Sequence, residues 1–351
     1  MKIKELRQIL HDKSCDFALF YSHETPNPNM QYFTGYTGIG VLAVPKNSKP
    51  FIIAPDMELE KAKQSGFKAY SMNKKRFFES VHEIIKKHSK CKNIAIDYSN
   101  FNLNSYRELK KQFKCKTKDI LLECMKLRDT KTEKEMEYLR KSCGYADKIL
   151  QKTIKNFKDF KTESDVSAFL SYETQKSGLE LSFPSIVASG KNGSMPHYQP
   201  KNTKLNKGLC VIDFGVKYRG YCSDMTRTVS IGKPSKNEKE MYNLLLKIQN
   251  GCINLVKDGI KCHELYDYTV KELGKYAKYF THGLGHGVGI EIHEIPNLKL
   301  NSQDKITDNK VFTIEPGVYF PGKFGIRIED TLLFKKKTQV LTKTTKELLI
   351  V

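Results

Sequence analysis

The sequence predicts a two-domain protein of the α+β class, with a smaller α/β domain at the N-terminus and a larger domain of helices and hairpins after it. Length is the first observation: 351 residues exceed the roughly 250–300 at which a single core stops growing. The second is that the first third alternates short apolar strands with amphipathic helices, the pattern of a mixed sheet with helical cover. The third is that the remainder carries long helical patterns and two strand pairs. The boundary is placed between residues 122 and 123, giving domains 1–122 and 123–351, because the stretch Leu121–Thr132 turns polar before a long helix.

Hydrophobic residues at 39% and charged residues at 28% describe a globular protein rather than a disordered one. The net charge of +21 raises nucleic acid, anionic membranes and acidic ligands as partners. Lysine supplies most of it and is spread along the chain, as at Lys61, Lys63, Lys68, Lys74 and Lys75. Nucleic-acid binders concentrate arginine and lysine on one face, so a dedicated nucleic-acid partner is not expected. The nine cysteines form no C-x-x-C pair, which fits reduced thiols and a cytoplasmic location. No apolar run is long enough to span a bilayer, so no membrane partner is expected.

In order, Ile3, Leu6, Ile9 and Leu10 have helical spacing. Asp16–Tyr21, Gly40–Val44 and Phe51–Ala54 read as strands, and Asp56–Ser65 as a helix. Phe77–His88 and Asn102–Phe113 read as helices around the strand Asn93–Asp97. In the larger domain Thr132 and Glu135 have capping-box spacing and open a helix with Met136, Leu139, Cys143, Ala146, Ile149 and Leu150 inward. Thr162 with Asp165 opens a second, Asn237 with Glu240 a third, and Cys262–Ala277 forms a fourth.

Chemistry is concentrated in two places. The stretch Thr281–Pro296 sets His282, His286 and His293 among glycines at 283, 285, 287 and 289. Imidazole is the commonest transition-metal ligand, yet alternate glycines rule out a helix, and with it the H-E-x-x-H zinc arrangement. Glycine here leaves room for backbone to pass close to metals and substrate. Any further ligands must come from elsewhere. The runs Leu209–Val216 and Tyr221–Ile231 flank Lys217–Gly220, and a hairpin centred there puts Asp213 opposite Asp224. Val311–Phe320 and Phe324–Phe334 flank Pro321-Gly322, which puts Glu315 opposite Glu329 with Arg327 on the same face. One such acid is an ordinary salt-bridge partner. Two hairpins that each oppose like charges call for a cation between them or a proton on one acid. Oxygen-rich donor sets with one imidazole suit a pair of ions such as Mn²⁺, Co²⁺ or Zn²⁺, about 3.5–4 Å apart.

Asp213, Asp224 in D-M-T-R-T, His286 in H-G-L-G-H-G-V-G, Glu315 in T-I-E-P-G and Glu329 in G-I-R-I-E-D-T resemble the five metal ligands of the pita-bread (creatinase-fold) metallopeptidases, the prolidase and aminopeptidase P family. The similarity includes P-S-I-V-A-S-G-K-N-G-S-M-P-H-Y at 184–198, L-R-D-T-K-T-E-K-E at 127–135 and the tail L-T-K-T-T-K-E-L-L. A creatinase-type N-terminal domain is suggested by N-P-N-M-Q-Y-F-T-G-Y at 27–36. The resemblance implies a pita-bread catalytic domain with two divalent ions, Mn²⁺ or Co²⁺ first and Zn²⁺ after them. Asp213 would chelate one, His286 and Glu315 the other, and Asp224 and Glu329 both. It further implies Glu315 as proton shuttle and His197 and His293 as substrate contacts that stabilise the tetrahedral intermediate. His282 would line the prolyl pocket, and Arg327 would hold Asp213 or a substrate carboxylate.

The implied activity is hydrolysis of Xaa-Pro bonds in small peptides by a homodimer, first as a dipeptidase and next as an Xaa-Pro aminopeptidase. Methionine aminopeptidase lacks this N-terminal domain and the D-M-T-R-T motif, and creatinase lacks the ligand set. A non-catalytic binding protein on the same fold is the remaining alternative.

Overall fold

The computed structural model describes residues 2–72, 76–88 and 91–351, so Lys74 and Lys75 lie outside the described residues. It divides into two compact units, Met1–Arg128 and Asp129–Val351.

The first unit is built on one six-stranded sheet. Its strands are β1 (Phe17–Ser22), β2 (Gly40–Pro45), β3 (Phe51–Ala54), β4 (Lys68–Ser71), β5 (Asn93–Ile96) and β6 (Lys116–Asp119), in spatial order β4-β3-β2-β1-β5-β6. β2 runs antiparallel to β1 and β3, whereas β3/β4, β1/β5 and β5/β6 are parallel, so the sheet is mixed as expected. β1 is buried at every position because both faces are covered. Ala18 and Phe20 enter one core with Leu6, Leu10 and Met30, while Phe17 and Leu19 enter the other with Val81 and Ile85. The expected helix at 56–65 divides into a 3₁₀ turn, Asp56–Glu58, and a helix, Leu59–Gln64. Two helices were not expected. Pro28–Thr34 starts where the Asn27 side chain accepts from the N–H groups of Asn29 and Met30, with Pro28 at its first turn. Leu121–Asp129 occupies the stretch read as a polar boundary and buries Cys124. The division between units falls at the last residue of this helix, between Arg128 and Asp129, whereas the sequence boundary at 122/123 falls near its start.

In the second unit Thr132 and Glu135 form a reciprocal capping box at the head of the helix Glu133–Lys155, and Thr162 and Asp165 do so for Glu163–Lys176. The third helix begins two residues earlier than expected. Ser235 and Glu238, not Asn237 and Glu240, make its box, because Ser235 directly follows Pro234 and the helix Lys236–Leu255 starts as soon as the chain is past the proline. The fourth, Cys262–Leu273, stops short of Ala277 where Gly274 takes φ 53°, and a 3₁₀ segment, Gly274–Tyr279, follows.

The strands that matter for function are β7 (Glu180–Leu181), β8 (Ile186–Ser189), β9 (Gly208–Phe214), β10 (Val216–Tyr218), β11 (Tyr221–Cys222) and β12 (Met225–Ile231). They are followed by β13 (Gly285–Gly287), β14 (Glu294–Leu298), β15 (Lys310–Ile314), β16 (Gly317–Phe320), β17 (Phe324–Arg327), β18 (Asp330–Lys335) and β19 (Lys337–Val340). They form sheets ordered β12-β9-β8, β11-β10-β7, β14-β13-β15-β18-β19 and β16-β17.

The first acidic hairpin has a different register from the one expected. Asp213 lies opposite Thr226, not Asp224. The turn is the two residues Arg219 and Gly220, at φ 53° and 83°, the left-handed pair that suits the twist of a tight hairpin; a four-residue turn had been expected. The slip is two residues, so Asp213 and Asp224 keep a common face and stand diagonally. The second hairpin has the expected register. Ile314 pairs with Asp330 and Gly317 with Arg327, and Glu315 and Glu329 fall in the interruption between the two ladders.

Candidate metal centre

Asp213 at the end of β9, Asp224 before β12, His286 in β13, and Glu315 and Glu329 in the ladder break converge on a cavity of about 340 Å³. His197, His282, His293 and Arg327 also line it, so every residue singled out from the sequence reaches this one place.

The glycines around His286 have a packing reason. A Cβ on Gly285 would lie 2.1 Å from the Thr313 carbonyl, and one on Gly287 2.1 Å from that of Ile295. β13 is squeezed between neighbouring backbones, so glycine there serves the packing of the sheet, and Gly283 and Gly285 also line the cavity. Within that sheet the His286 Nδ1 lies 3.1 Å from the Gly287 carbonyl. With Nδ1–H donating there, Nε2 carries the lone pair. That nitrogen sits 3.5 Å from Asp224 Oδ2 and 3.4 Å from Glu315 Oε1.

A lone pair facing two carboxylates is repulsive without a cation between them. Other observations point the same way. One oxygen each of Asp224 and Glu329 and one nitrogen of His286 lie within 4.8 Å of one another. Asp213 Oδ1 and Glu329 Oε1 are buried acceptors with no hydrogen-bond donor among the described residues. Burial, and after it Glu329, push Asp224 well above the usual carboxylate range, and burial with Glu315 does the same to Glu329. Burial raises Glu315 to about 7 and lowers His286 to about 4. Among the described residues, Arg327 is the cation paired with an acid of this group, Asp213. One guanidinium does not offset four carboxylates, so the donor set fits divalent cations.

Arg327 also organises the walls. Its Nη1 donates to the Tyr319 hydroxyl at 2.6 Å, which in turn lies 2.9 Å from His282 Nε2. Burial, then Arg327, hold His282 at about 4, and its Nδ1 is 2.6 Å from the Gly283 carbonyl. His282 is therefore a neutral, fixed wall. Gly317 opposite Arg327 makes room, since a Cβ there would meet the Tyr319 hydroxyl at 2.6 Å. The Thr226 hydroxyl joins Arg327 Nε at 3.1 Å to Glu329 Oε2 at 2.7 Å. His293 packs edge-on against His286 with ring centres 4.3 Å apart. Its loop is braced by Glu294, which accepts from the N–H groups of Ile290 and Glu291 and pairs in the interior with Lys131 at 3.1 Å.

Sequence reading passed over Tyr319, Thr226 and Lys131. Strand alternation was signal enough for the first, because Tyr319 pairs with Gly325 and so shares a face with Arg327. Thr226 lies inside D-M-T-R-T and Lys131 inside L-R-D-T-K-T-E-K-E, but their partners are about a hundred residues or more away.

Fold and site together define a metal-dependent hydrolase in which carboxylates from two hairpins and one imidazole line one cavity. The chain belongs to metallopeptidase family M24, whose model matches residues 137–336, and it carries the Creatinase/Prolidase N-terminal domain at 2–129. It is 33% identical to an Xaa-Pro dipeptidase of Pyrococcus horikoshii, over 99% of this chain and 98% of that one. Among solved structures it resembles an Xaa-Pro dipeptidase from Bacillus anthracis, with a TM-score of 0.91, 30% identity and coverage of 100% and 99%. It also resembles an X-Pro aminopeptidase from Thermotoga maritima, with a TM-score of 0.87, 29% identity and coverage of 97% and 99%. The catalytic unit thus has the creatinase, or pita-bread, fold. Among the described residues no helix is long and apolar enough to cross a membrane.

Proposed function

We propose that this chain is an Xaa-Pro dipeptidase that uses two divalent ions, Mn²⁺ or Co²⁺ before Zn²⁺. The observation that carries the reading is the buried convergence of Asp224, His286 and Glu329 beside the donorless acceptors of Asp213 and Glu329. Asp213 would hold one ion, His286 and Glu315 the other, and Asp224 and Glu329 both. When bound, the ions supply a Lewis acid and lower the pKa of a water to near 7.

The remaining work falls to side chains. Glu315 carries a proton to the proline nitrogen, which has no N–H of its own and must be protonated as the bond breaks. His197 and His293, both on the cavity wall, donate to the oxyanion as it forms. His282, fixed by Tyr319, bounds the prolyl ring. Arg327, paired with Asp213, keeps that carboxylate aimed. The exposed Lys299 also lines the cavity and has no carboxylate partner among the described residues; its ammonium group suits the free carboxylate of a dipeptide.

An Xaa-Pro aminopeptidase is the second reading. It is favoured by an adjoining cavity of about 980 Å³ that shares Phe183, Ile186 and His197 with the first and gives room for chain beyond a dipeptide. Hydrolysis of Ala-Pro and Ala-Pro-Ala by the Mn²⁺-loaded chain separates the two. Cleavage of Ala-Pro is expected, and cleavage of the tripeptide alone would establish the second reading instead. A homodimer rests on the family resemblance, and sedimentation tests it. A cytoplasmic location is supported by nine free thiols, eight of them buried.

A further inference from the structure

The motif at 184–198 contributes Ile186 and His197 to the cavity wall and leaves Ser189, Asn192 and Tyr198 without a role there. All three bind one carboxylate. Glu163, the first residue of the helix Glu163–Lys176, is fully buried. Its Oε1 accepts from Ser189 N at 2.8 Å, Ser189 Oγ at 2.8 Å and Asn192 Nδ2 at 2.9 Å. Its Oε2 accepts from the Tyr198 hydroxyl at 2.7 Å and Thr203 Oγ1 at 2.8 Å.

No cation takes part in these contacts. Burial alone would push the carboxyl up, but the donors of Asn192, Ser189 and Tyr198 outweigh it and hold Glu163 below the usual glutamate range. A buried charge satisfied by neutral donors from a single segment fixes that segment, since releasing it leaves the carboxylate and its donors unpaired together. Residues 189–203 are held on the other side by β17. A Cβ on Gly325 would lie 1.8 Å from the Gly193 carbonyl, and Arg327 Nη1 donates to the Pro196 carbonyl at 3.3 Å. His197 stands between Pro196 and Tyr198, itself exposed while both neighbours are tied.

We propose that Glu163 is the positioning residue for His197: its buried carboxylate clamps residues 189–203 against β17 and so holds the His197 imidazole at the wall of the cavity. The proposal rests on the reading of His197 as the group that meets the substrate. A merely structural acid would lower stability and leave the reaction's dependence on His197 untouched.

The test compares wild type, Glu163→Ala, Glu163→Gln, His197→Ala and the double variant Glu163→Ala/His197→Ala on Ala-Pro, all as full chains loaded with Mn²⁺. Glu163→Ala is expected to lower kcat about 10- to 100-fold, the range for partners that orient a functional group, while KM stays within about threefold. On the His197→Ala background the same change should cost less than about threefold, because residues that act through one another are not additive. Glu163→Gln keeps the shape, and its amide can donate to the two hydroxyls, so it should recover most of kcat. Equal losses on both backgrounds, or an unchanged kcat in Glu163→Ala, overturn the proposal. Should Glu163→Ala not fold, Tyr198→Phe carries the same comparison. The His197 Cε1–H resonance of the metal-free chain gives a readout independent of activity: one sharp line in wild type, split or broadened in Glu163→Ala. A chain that cleaves no Xaa-Pro peptide defeats the dipeptidase reading, and that line shape then decides the proposal alone. A sharp, unmoved line in the variant overturns it.

Discussion

Thr226 and Glu329, 103 residues apart in sequence, meet through a buried 2.7 Å side-chain hydrogen bond and a 3.1 Å backbone one, which tie β12 of the first hairpin to the acid-bearing break of the second. Arg327 donates to the same hydroxyl, so Thr226 passes a donor from a cation to a carboxylate. Thr226→Val keeps the shape and removes the donor. Affinity for Mn²⁺, read by competition with a chelating dye, is expected to fall about 10- to 100-fold with the fold retained. Unchanged affinity would show that Glu329 is aimed without it.

Metal removal gives the second expectation. Dialysis against EDTA should abolish hydrolysis of Ala-Pro, and Mn²⁺ or Co²⁺ should restore it. Ions held in the folded state alone add about 4 kcal/mol of stability at a thousandfold excess over Kd, so the melting temperature should fall on dialysis as well. Full activity after exhaustive dialysis would rule out the metal centre.

Gly285→Ala tests the squeeze on β13. The added Cβ lands 2.1 Å from the Thr313 carbonyl, a backbone atom in a central strand that cannot give way cheaply. Overpacking of this kind costs about 1–3 kcal/mol or more, measured by urea unfolding. A neutral result would mean that the sheet spreads there without penalty.

Asp97 makes a prediction about pH in the first unit. It is fully buried, and although Asn29, Asn27 and Asn100 donate to it, burial raises its carboxyl to about 6. The folded state therefore keeps a proton that the unfolded chain, with the ordinary value of 3.8, has lost. Between those two values the folded state binds more protons, so stability falls as pH rises from about 4 to 6 and levels off above that. The difference in unfolding free energy between wild type and Asp97→Asn should drop by about 3 kcal/mol across that window. A difference independent of pH would place the Asp97 carboxyl near its ordinary value.

Lys299 bears on substrate length. Lys299→Met should raise KM for Ala-Pro about tenfold, the loss of one charge-assisted hydrogen bond, and leave the amide Ala-Pro-NH₂ unaffected. Equal changes for both would remove Lys299 from carboxylate recognition.

How much of this was legible in the sequence varies with the range of the interaction. The capping boxes of Thr132 and Thr162 are local and were read correctly, but Ser235 and Asn237 both satisfy the pattern and Pro234 decides between them. The second acidic hairpin could be registered from its turn, whereas the first was read two residues out. A two-residue turn at Arg219 and Gly220 needs a non-glycine residue in left-handed backbone, which the sequence does not announce. The cluster of site residues survived that error because a slip of two preserves the face. Lys131 and Glu163 act across the tertiary structure, and no pattern along the chain marks them, whereas the strand alternation that marks Tyr319 was there to be read.

The break in the ladders at Glu315 and Glu329 has one more consequence. The groups around the cavity come from segments spread between His197 and Glu329, so none of the earlier pieces of the second unit holds the set alone. Closing such long loops is entropically slow, and docking of the last hairpin brings the acids together, where they repel each other unless cations lie between them. Retention of the ions therefore reports completion of folding, and their release would be among the first signs that any part of residues 129–351 has begun to come apart.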